Sequence, residues 1–270
     1  MLTLGAMVGN VVYSLAMGGA LVIGLGTGRC GSGSLAELLG AQADGLCFHE
    51  MNPACVRFFG TPQPVLNSIA EFSRVLDGGD PSLVSVDLSR GQCSAMYDRL
   101  CRLQRLRLIG DVANYYLSYV RIIAERYPQV RFLCMRRDIE ATVESFLWKT
   151  RIRRGRAQYA ADRFVALATR SPFHIAENPW VHHAGSRWRR SPLWDKLFPK
   201  FEAASREDAV RQYCRYYYEE AGKLAAELPA SFRFVELARL NERPYQSEVL
   251  SFAGVPSDAQ VLKDVHVYHR

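Results

Sequence analysis

Four groups of residues in this chain have the types and spacing to do chemistry. The first is Gly26-Thr27-Gly28-Arg29-Cys30-Gly31-Ser32-Gly33-Ser34. Its glycines let backbone N–H groups close on a ligand without side-chain obstruction, and a helix beginning there adds the positive end of its dipole, so the ligand should be a phosphate-like anion. The second is His49-Glu50, two groups able to take a proton, directly after the short apolar run Gly45-Leu-Cys-Phe48. The third is Arg137 and Ser145, a forked cation and a hydroxyl that a helix would present about two turns into itself. The fourth is a set of arginines among aromatic residues: Arg151, Arg153, Arg154 and Arg156, then Arg187-Trp188-Arg189-Arg190. Arginines hold carboxylates or sulfates, and tryptophans stack on sugar or aromatic rings.

The spelling of the glycine loop sorts its ligands. A Walker A loop places Lys and then Ser or Thr after its second glycine. Here Ser32-Gly33 follows Gly31, which argues against a phosphate-transferring NTPase. A dinucleotide fingerprint, GxGxxG, is present as Gly26, Gly28 and Gly31, and Glu50 stands 22 residues beyond Gly28, near the usual place of a ribose-binding acid. An NAD(P)- or FAD-dependent oxidoreductase is therefore one alternative. A non-catalytic protein holding a nucleotide or polyanion through the basic segment is another.

These groups need elements to position them. Ala20–Leu25 is an apolar run ending in glycine, the pattern of a buried parallel strand, and Leu35–Leu39 continues from the loop as a helix. Gly45–Phe48 is the next expected strand, with His49 and Glu50 at the end where ligands bind in open α/β sheets. Further strands are expected at Ser82–Leu88, Leu106–Gly110, Val130–Met135 and Phe232–Glu236. Helices are expected at Asn114–Arg126, Glu140–Thr150, Arg206–Leu228 and Gln246–Ala253. Alternating strands and helices predict an α/β fold with a mostly parallel sheet covered on both faces. Asp111, after a strand, could orient a substrate. No linker divides the chain, so residues 1–270 are read as one domain, with an apolar leader over 1–19 and an insertion over 151–205.

Composition limits the function further. The net charge is +7 over 270 residues. Ten Lys and Arg between Lys149 and Arg190 face only Asp162 and Glu177, a local net of +8 that leaves the remainder near neutrality. The acidic partner suggested by the charge therefore belongs to the insertion. Nucleic acid ranks low, because the charge does not follow a single recognition helix. Seven cysteines, with no CxxC and no histidines at zinc-ligand spacing, point to reduced thiols in a cytoplasm and to no metal. The apolar start lacks a basic signal region and carries several glycines, so no membrane insertion is expected; membrane association through this leader is the alternative.

Two motifs together carry a family resemblance. Gly28-Arg-Cys-Gly-Ser-Gly-Ser34 resembles the 5′-phosphosulfate loop of the sulfotransferases that use 3′-phosphoadenosine-5′-phosphosulfate (PAPS), where many members have lysine at the place of Arg29. Phe132-Leu-Cys-Met-Arg-Arg137, followed by a helix bearing Ser145, resembles their 3′-phosphate site. Gly110–Tyr116, Tyr127-Pro128 and Phe232–Asn241 extend the similarity, which spans most of residues 20–150 and 206–256. The glycine-rich adenine loop of many eukaryotic members is not visible; Val265–Arg270 is either its replacement or unrelated, and adenine contacts beyond the two motifs are unassigned.

The resemblance implies a three-layer P-loop-like fold and transfer of a sulfuryl group from PAPS to a hydroxyl acceptor. The acceptor would be a carbohydrate or another acidic small molecule bound by the insertion. It implies cofactor binding by Gly28, Arg29, Cys30, Gly31, Ser32, Gly33, Ser34, Arg137 and Ser145. Arg29 would also stabilise the departing oxygen. Glu50 is the first choice of base, because bacterial members often use a glutamate here, and His49 is the second.

Overall fold

A computed structural model of the chain describes residues 19–52, 62–88, 90–151, 164 and 203–265. The apolar leader, nearly all of the basic insertion and the last five residues lie outside them.

Five strands form one sheet: β1 (Ala20–Leu25), β2 (Gly45–His49), β3 (Leu108–Val112), β4 (Arg131–Arg136) and β5 (Phe232–Glu236), in the order β2-β3-β1-β4-β5. Every pairing is parallel. Such a sheet must be covered on both sides, which is why its strands read as nearly continuous apolar runs. The period of two sorts the core into two layers. Leu21, Ile23 and Leu25 of β1 point to one face, with Phe72, Ile123, Phe146 and Tyr213. Val22 points to the other, with Leu35, Leu38, Val249 and Leu250. Each such side chain, fully removed from water, contributes roughly 1.5–3 kcal/mol before entropy is counted. Gly110 is required where β3 crosses Val22, because a Cβ there would strike the Val22 carbonyl oxygen.

The first face is covered by α2 (Gln63–Leu76), α4 (Val120–Arg126), α5 (Ile139–Arg151) and the long α6 (Arg206–Glu227), with α3 (Gly91–Arg102) at its edge beside β2. The second face is covered by α1 (Ser32–Gly40) and α7 (Arg243–Phe252). The architecture is a three-layer α/β sandwich with β1 at its centre, so the loop after β1 opens at the middle of the sheet's C-terminal edge.

Several expected boundaries move. Ser82–Leu88 is not a strand. Pro81–Leu83 is a 3₁₀ turn whose start is capped by the Asp80 carboxylate accepting from Ser82 N at 2.8 Å. The chain beyond it gives its N–H groups elsewhere: Ser85 to Glu71 at 2.8 Å and Asp87 to the Met51 carbonyl at 3.0 Å. A side-chain carboxylate and an isolated carbonyl have replaced a ladder there. The strand expected at Leu106–Gly110 runs over Leu108–Val112, which puts Asp111 inside β3. Asn114–Arg126 divides into a 3₁₀ stretch, Asn114–Tyr119, and α4. The first helix starts at Ser32, so Ser32, Gly33 and Ser34 form its first turn.

Candidate functional site

The loop between β1 and α1 is built for an anion. Gly28, Arg29 and Gly31 have φ of 79°, 57° and 96°, and left-handed residues within such a turn can direct neighbouring N–H groups toward one concavity. Gly31 is the N-cap of α1 and has no side chain to close the helix end. A helix N-terminus of this kind can receive an anion. A Cβ at Gly31 would meet the Leu237 side chain and come within 3.1 Å of Met135 Cε. Thr27 is buried and bonds the Gly28 carbonyl at 2.9 Å. Cys30 packs into the core, and burial pushes its thiol pKa upward. Contacts with the backbone N–H groups of Gly28 and Ser32 oppose that shift.

The second anion group folds onto this loop. Arg136, the last residue of β4, donates to the Glu236 carboxylate at 2.6 Å. The next residue, Arg137, turns inward, and its guanidinium donates to the Arg29 carbonyl at 2.9 Å. Arg29 in turn donates from Nε to Ser145 Oγ, at the middle of α5, at 3.1 Å. Residues 29, 137 and 145, the first more than a hundred positions from the other two, thus form one contact chain. Glu140, the nearest acid on α5, is engaged by Arg211 at 2.7 Å, so an Arg137–Glu140 pair is not the arrangement adopted. A left-handed backbone at a non-glycine residue carries strain, and the Arg137 bond fixes Arg29 in that conformation.

His49 and Glu50 part at the end of β2. His49 points toward α1, where its Nε2 shares a hydrogen bond of 2.9 Å with Ser32 Oγ. Glu50 has φ of 53°, and its carboxylate accepts from Arg90 Nη2 at 2.9 Å, both side chains about one-third exposed. Beneath them lies Asp111, fully buried, accepting from Tyr116 at 2.8 Å, Tyr115 at 3.0 Å and Met51 N at 3.2 Å. Burial pushes the Asp111 carboxyl pKa up, and these donors together with His49 oppose the shift. Asp111 therefore does not reach a substrate; it supports the turn above it.

The sequence patterns did not single out the residues that brace the loop from behind. Tyr217 Oη accepts from Gly26 N at 2.9 Å and donates to the Asn114 carbonyl at 3.2 Å. Tyr213 donates to the Thr27 carbonyl at 3.0 Å, and Tyr218 accepts from Arg137 N at 3.1 Å. Tyr213 and Tyr217 are one helical turn apart on the buried face of α6. A buried phenol must find a partner, and the spacing was the available signal; the partner's identity was not. Arg90 was likewise missed, since no local pattern ties it to Glu50.

Of the basic clusters, Arg153, Arg154, Arg156 and Arg187–Arg190 lie outside the described residues, and nothing is described of the Arg151 side chain. Among the described residues no cluster of His, Cys, Asp and Glu could hold a metal ion, and no helix is long and apolar enough to cross a membrane.

The sheet order bears on the dinucleotide reading. In the classic dinucleotide fold the second strand adjoins the first, bringing its terminal acid to the loop. Here β3 lies between β1 and β2, and the acid in question is paired with Arg90.

No family model matches the sequence, and no curated protein matches it. Among solved structures, the chain is similar to a sulfotransferase from Alicyclobacillus acidocaldarius, with 16% identity and a TM-score of 0.45 over 94% of this chain and 87% of that one. It is also similar to the sulfotransferase domain from the curacin biosynthetic pathway, with 13% identity and a TM-score of 0.42 over 89% of this chain and 75% of that one.

Proposed function

We propose that the chain transfers a sulfuryl group from PAPS to a hydroxyl acceptor. The observation that carries this reading is the convergence of residues 29, 137 and 145: the anion loop after β1 and the Arg–Ser pair after β4 meet in one contact chain. A ligand with one anionic group in the loop and a second near Arg137 and Ser145 would use both. A nucleoside 5′-phosphosulfate bearing a 3′-phosphate has that charge pattern.

On this reading the sulfuryl group sits at the first turn of α1, with its phosphate in the N–H groups of residues 28–34. The acceptor oxygen loses its proton to a base and attacks sulfur in line. The bond from sulfur to the bridging phosphate oxygen breaks, and adenosine 3′,5′-bisphosphate leaves with the added negative charge. Arg29 and the loop N–H groups are placed to stabilise that charge, which preorganised donors do without reorganisation. Geometry favours His49 as the base over Glu50, reversing the order expected from the sequence. A base must come within hydrogen-bond reach of its proton. His49 Nε2 already touches α1's first turn, whereas Glu50 is held by Arg90. Glu50 is then suited to orienting the acceptor together with Arg90.

The arginines and tryptophans of 151–205 support an acidic acceptor, such as a carboxylated or sulfated carbohydrate. The test is transfer from PAPS labelled in its sulfuryl group to a panel of neutral and acidic hydroxyl acceptors. Label should move to an acidic acceptor and stay on the donor in Arg29→Ala. Equal label release by wild type, Arg29→Ala and buffer contradicts the proposal.

A further inference from the structure

We infer that Asp111, with Tyr115 and Tyr116, is the positioning device that sets His49 and Glu50 on opposite sides of the β2 end. Its catalytic consequence rests on the sulfuryl-transfer reading; its structural content does not.

The turn 49–51 is held at nearly every backbone group. Glu50 N donates to the Val112 carbonyl at 3.1 Å, and the Met51 carbonyl accepts from Asp87 N at 3.0 Å. The Cys93 thiol lies 3.7 and 3.8 Å from the carbonyls of His49 and Glu50. Met51 N donates to both Asp111 oxygens, at 3.2 and 3.3 Å. That bond comes directly after the left-handed Glu50, a conformation that persists only where its surroundings impose it. Loss of the carboxylate would leave a buried N–H without a charged acceptor at the residue where the chain must reverse the direction of successive side chains.

The acceptor also has to be a carboxylate. Three donors converge on Asp111: one amide and two phenols, with the rings of Tyr115 and Tyr116 packed 4.7 Å apart. An acceptor-only group satisfies all three, while an amide in the same shape would present an N–H₂ to one of them. A buried ionisable side chain in a sheet is costly unless paired in this way. The groups facing it are Tyr115 and Tyr116 from the 3₁₀ stretch and the His49–Met51 backbone from β2. Glu50, Arg90 and Cys93 lie beyond, around the same turn. Asp111 itself bonds neither the anion loop nor the α1 N-terminus; the turn it supports reaches them through the His49–Ser32 bond, so its effect should fall on the base turn first and on nucleotide binding least.

The experiment uses the full chain carrying Asp111→Asn and, separately, Tyr116→Phe, which keeps the ring and removes one donor. Three readouts are taken: amide deuterium exchange of the 45–52 and 20–34 peptides, affinity for adenosine 3′,5′-bisphosphate, and kcat with PAPS and an accepted hydroxyl. Expected for Asp111→Asn are exchange at 49–51 at least tenfold faster, unchanged exchange at 20–34, affinity within about threefold, and kcat lowered at least tenfold. Tyr116→Phe should move each quantity in the same direction by less, and it decides the matter if Asp111→Asn does not fold. Unchanged exchange at 49–51, or exchange and affinity lost together across the sheet, overturns the positioning role. A wild-type chain with no affinity for the bisphosphate overturns the sulfuryl-transfer reading, and the exchange comparison still decides the device.

Discussion

His49 and Glu50 are adjacent in sequence yet turned to different partners, one to Ser32 and the other to Arg90. The proposed mechanism therefore assigns them different losses. His49→Gln should lower kcat by about a hundredfold or more with donor affinity nearly unchanged, the range that a general base supplies. Glu50→Gln should act mainly on KM for the acceptor. Steady-state kinetics at saturating PAPS separates the two, and a larger kcat loss in Glu50→Gln would return the base role to the glutamate. Gly31 carries a second residue-scale expectation. At φ 96°, with Leu237 where a Cβ would go, Gly31→Ala should destabilise the fold by about 1–3 kcal/mol, measured by urea unfolding. The loop glycines and the Arg137/Ser145 pair were legible because they follow local rules of spacing and element context. Arg90, the α6 tyrosines and the supporting role of Asp111 under Met51 were not, because they rest on bonds that join positions 40 to 191 apart.

At the scale of elements, α6 is the rear support of the anion loop. Its Tyr217 hydroxyl bridges the start of the loop and the end of β3's connection, so Tyr217→Phe leaves the buried Gly26 N–H unsatisfied. The expected cost is about 1–3 kcal/mol, accompanied by weaker binding of adenosine 3′,5′-bisphosphate. Unfolding and calorimetry on the same variant check both, and unchanged nucleotide affinity would show that the helix does not set the loop. Most strands and helices were readable from their periodicity, but α2 and α3 were not among those expected. The expected strand at Ser82–Leu88 failed for a local cause: a run of alternating apolar residues lost its ladder to Asp80, Glu71 and Met51. Strand order was not readable at all. The insertion of β3 between β1 and β2 is a choice among parallel arrangements that share one sequence pattern, and it is this order that counts against a dinucleotide site.

For the whole molecule, stability against pH contains opposing contributions. Arg211 holds the Glu140 carboxyl below its usual range, and Arg121 does the same for Glu227. A depressed carboxylate stabilises the fold above its ordinary pKa and loses that stabilisation as pH falls through the lowered value. Asp111 acts oppositely. With its pKa raised by burial, the folded chain holds its proton more firmly, a contribution present in acid and lost as pH rises through the raised value. Arg211→Ala should therefore lower the melting temperature at pH 7, with its curve converging on wild type below about pH 4, near the ordinary carboxylate range. High salt should narrow the gap, because the pairs are exposed. A gap that stays constant with pH would remove the ion pair from the account.

The central claim is that the loop after β1 and the Arg137–Ser145 pair bind one ligand carrying both a 5′-phosphate group and a 3′-phosphate. Titration calorimetry of the full chain with adenosine 3′,5′-bisphosphate, adenosine monophosphate and NAD tests it most directly. The account predicts binding of the bisphosphate at roughly micromolar Kd or tighter, at least tenfold weaker binding of the monophosphate (a difference of about 1.4 kcal/mol or more), and loss of that preference in Arg137→Ala. Tight binding of NAD with indifference to the 3′-phosphate would contradict it.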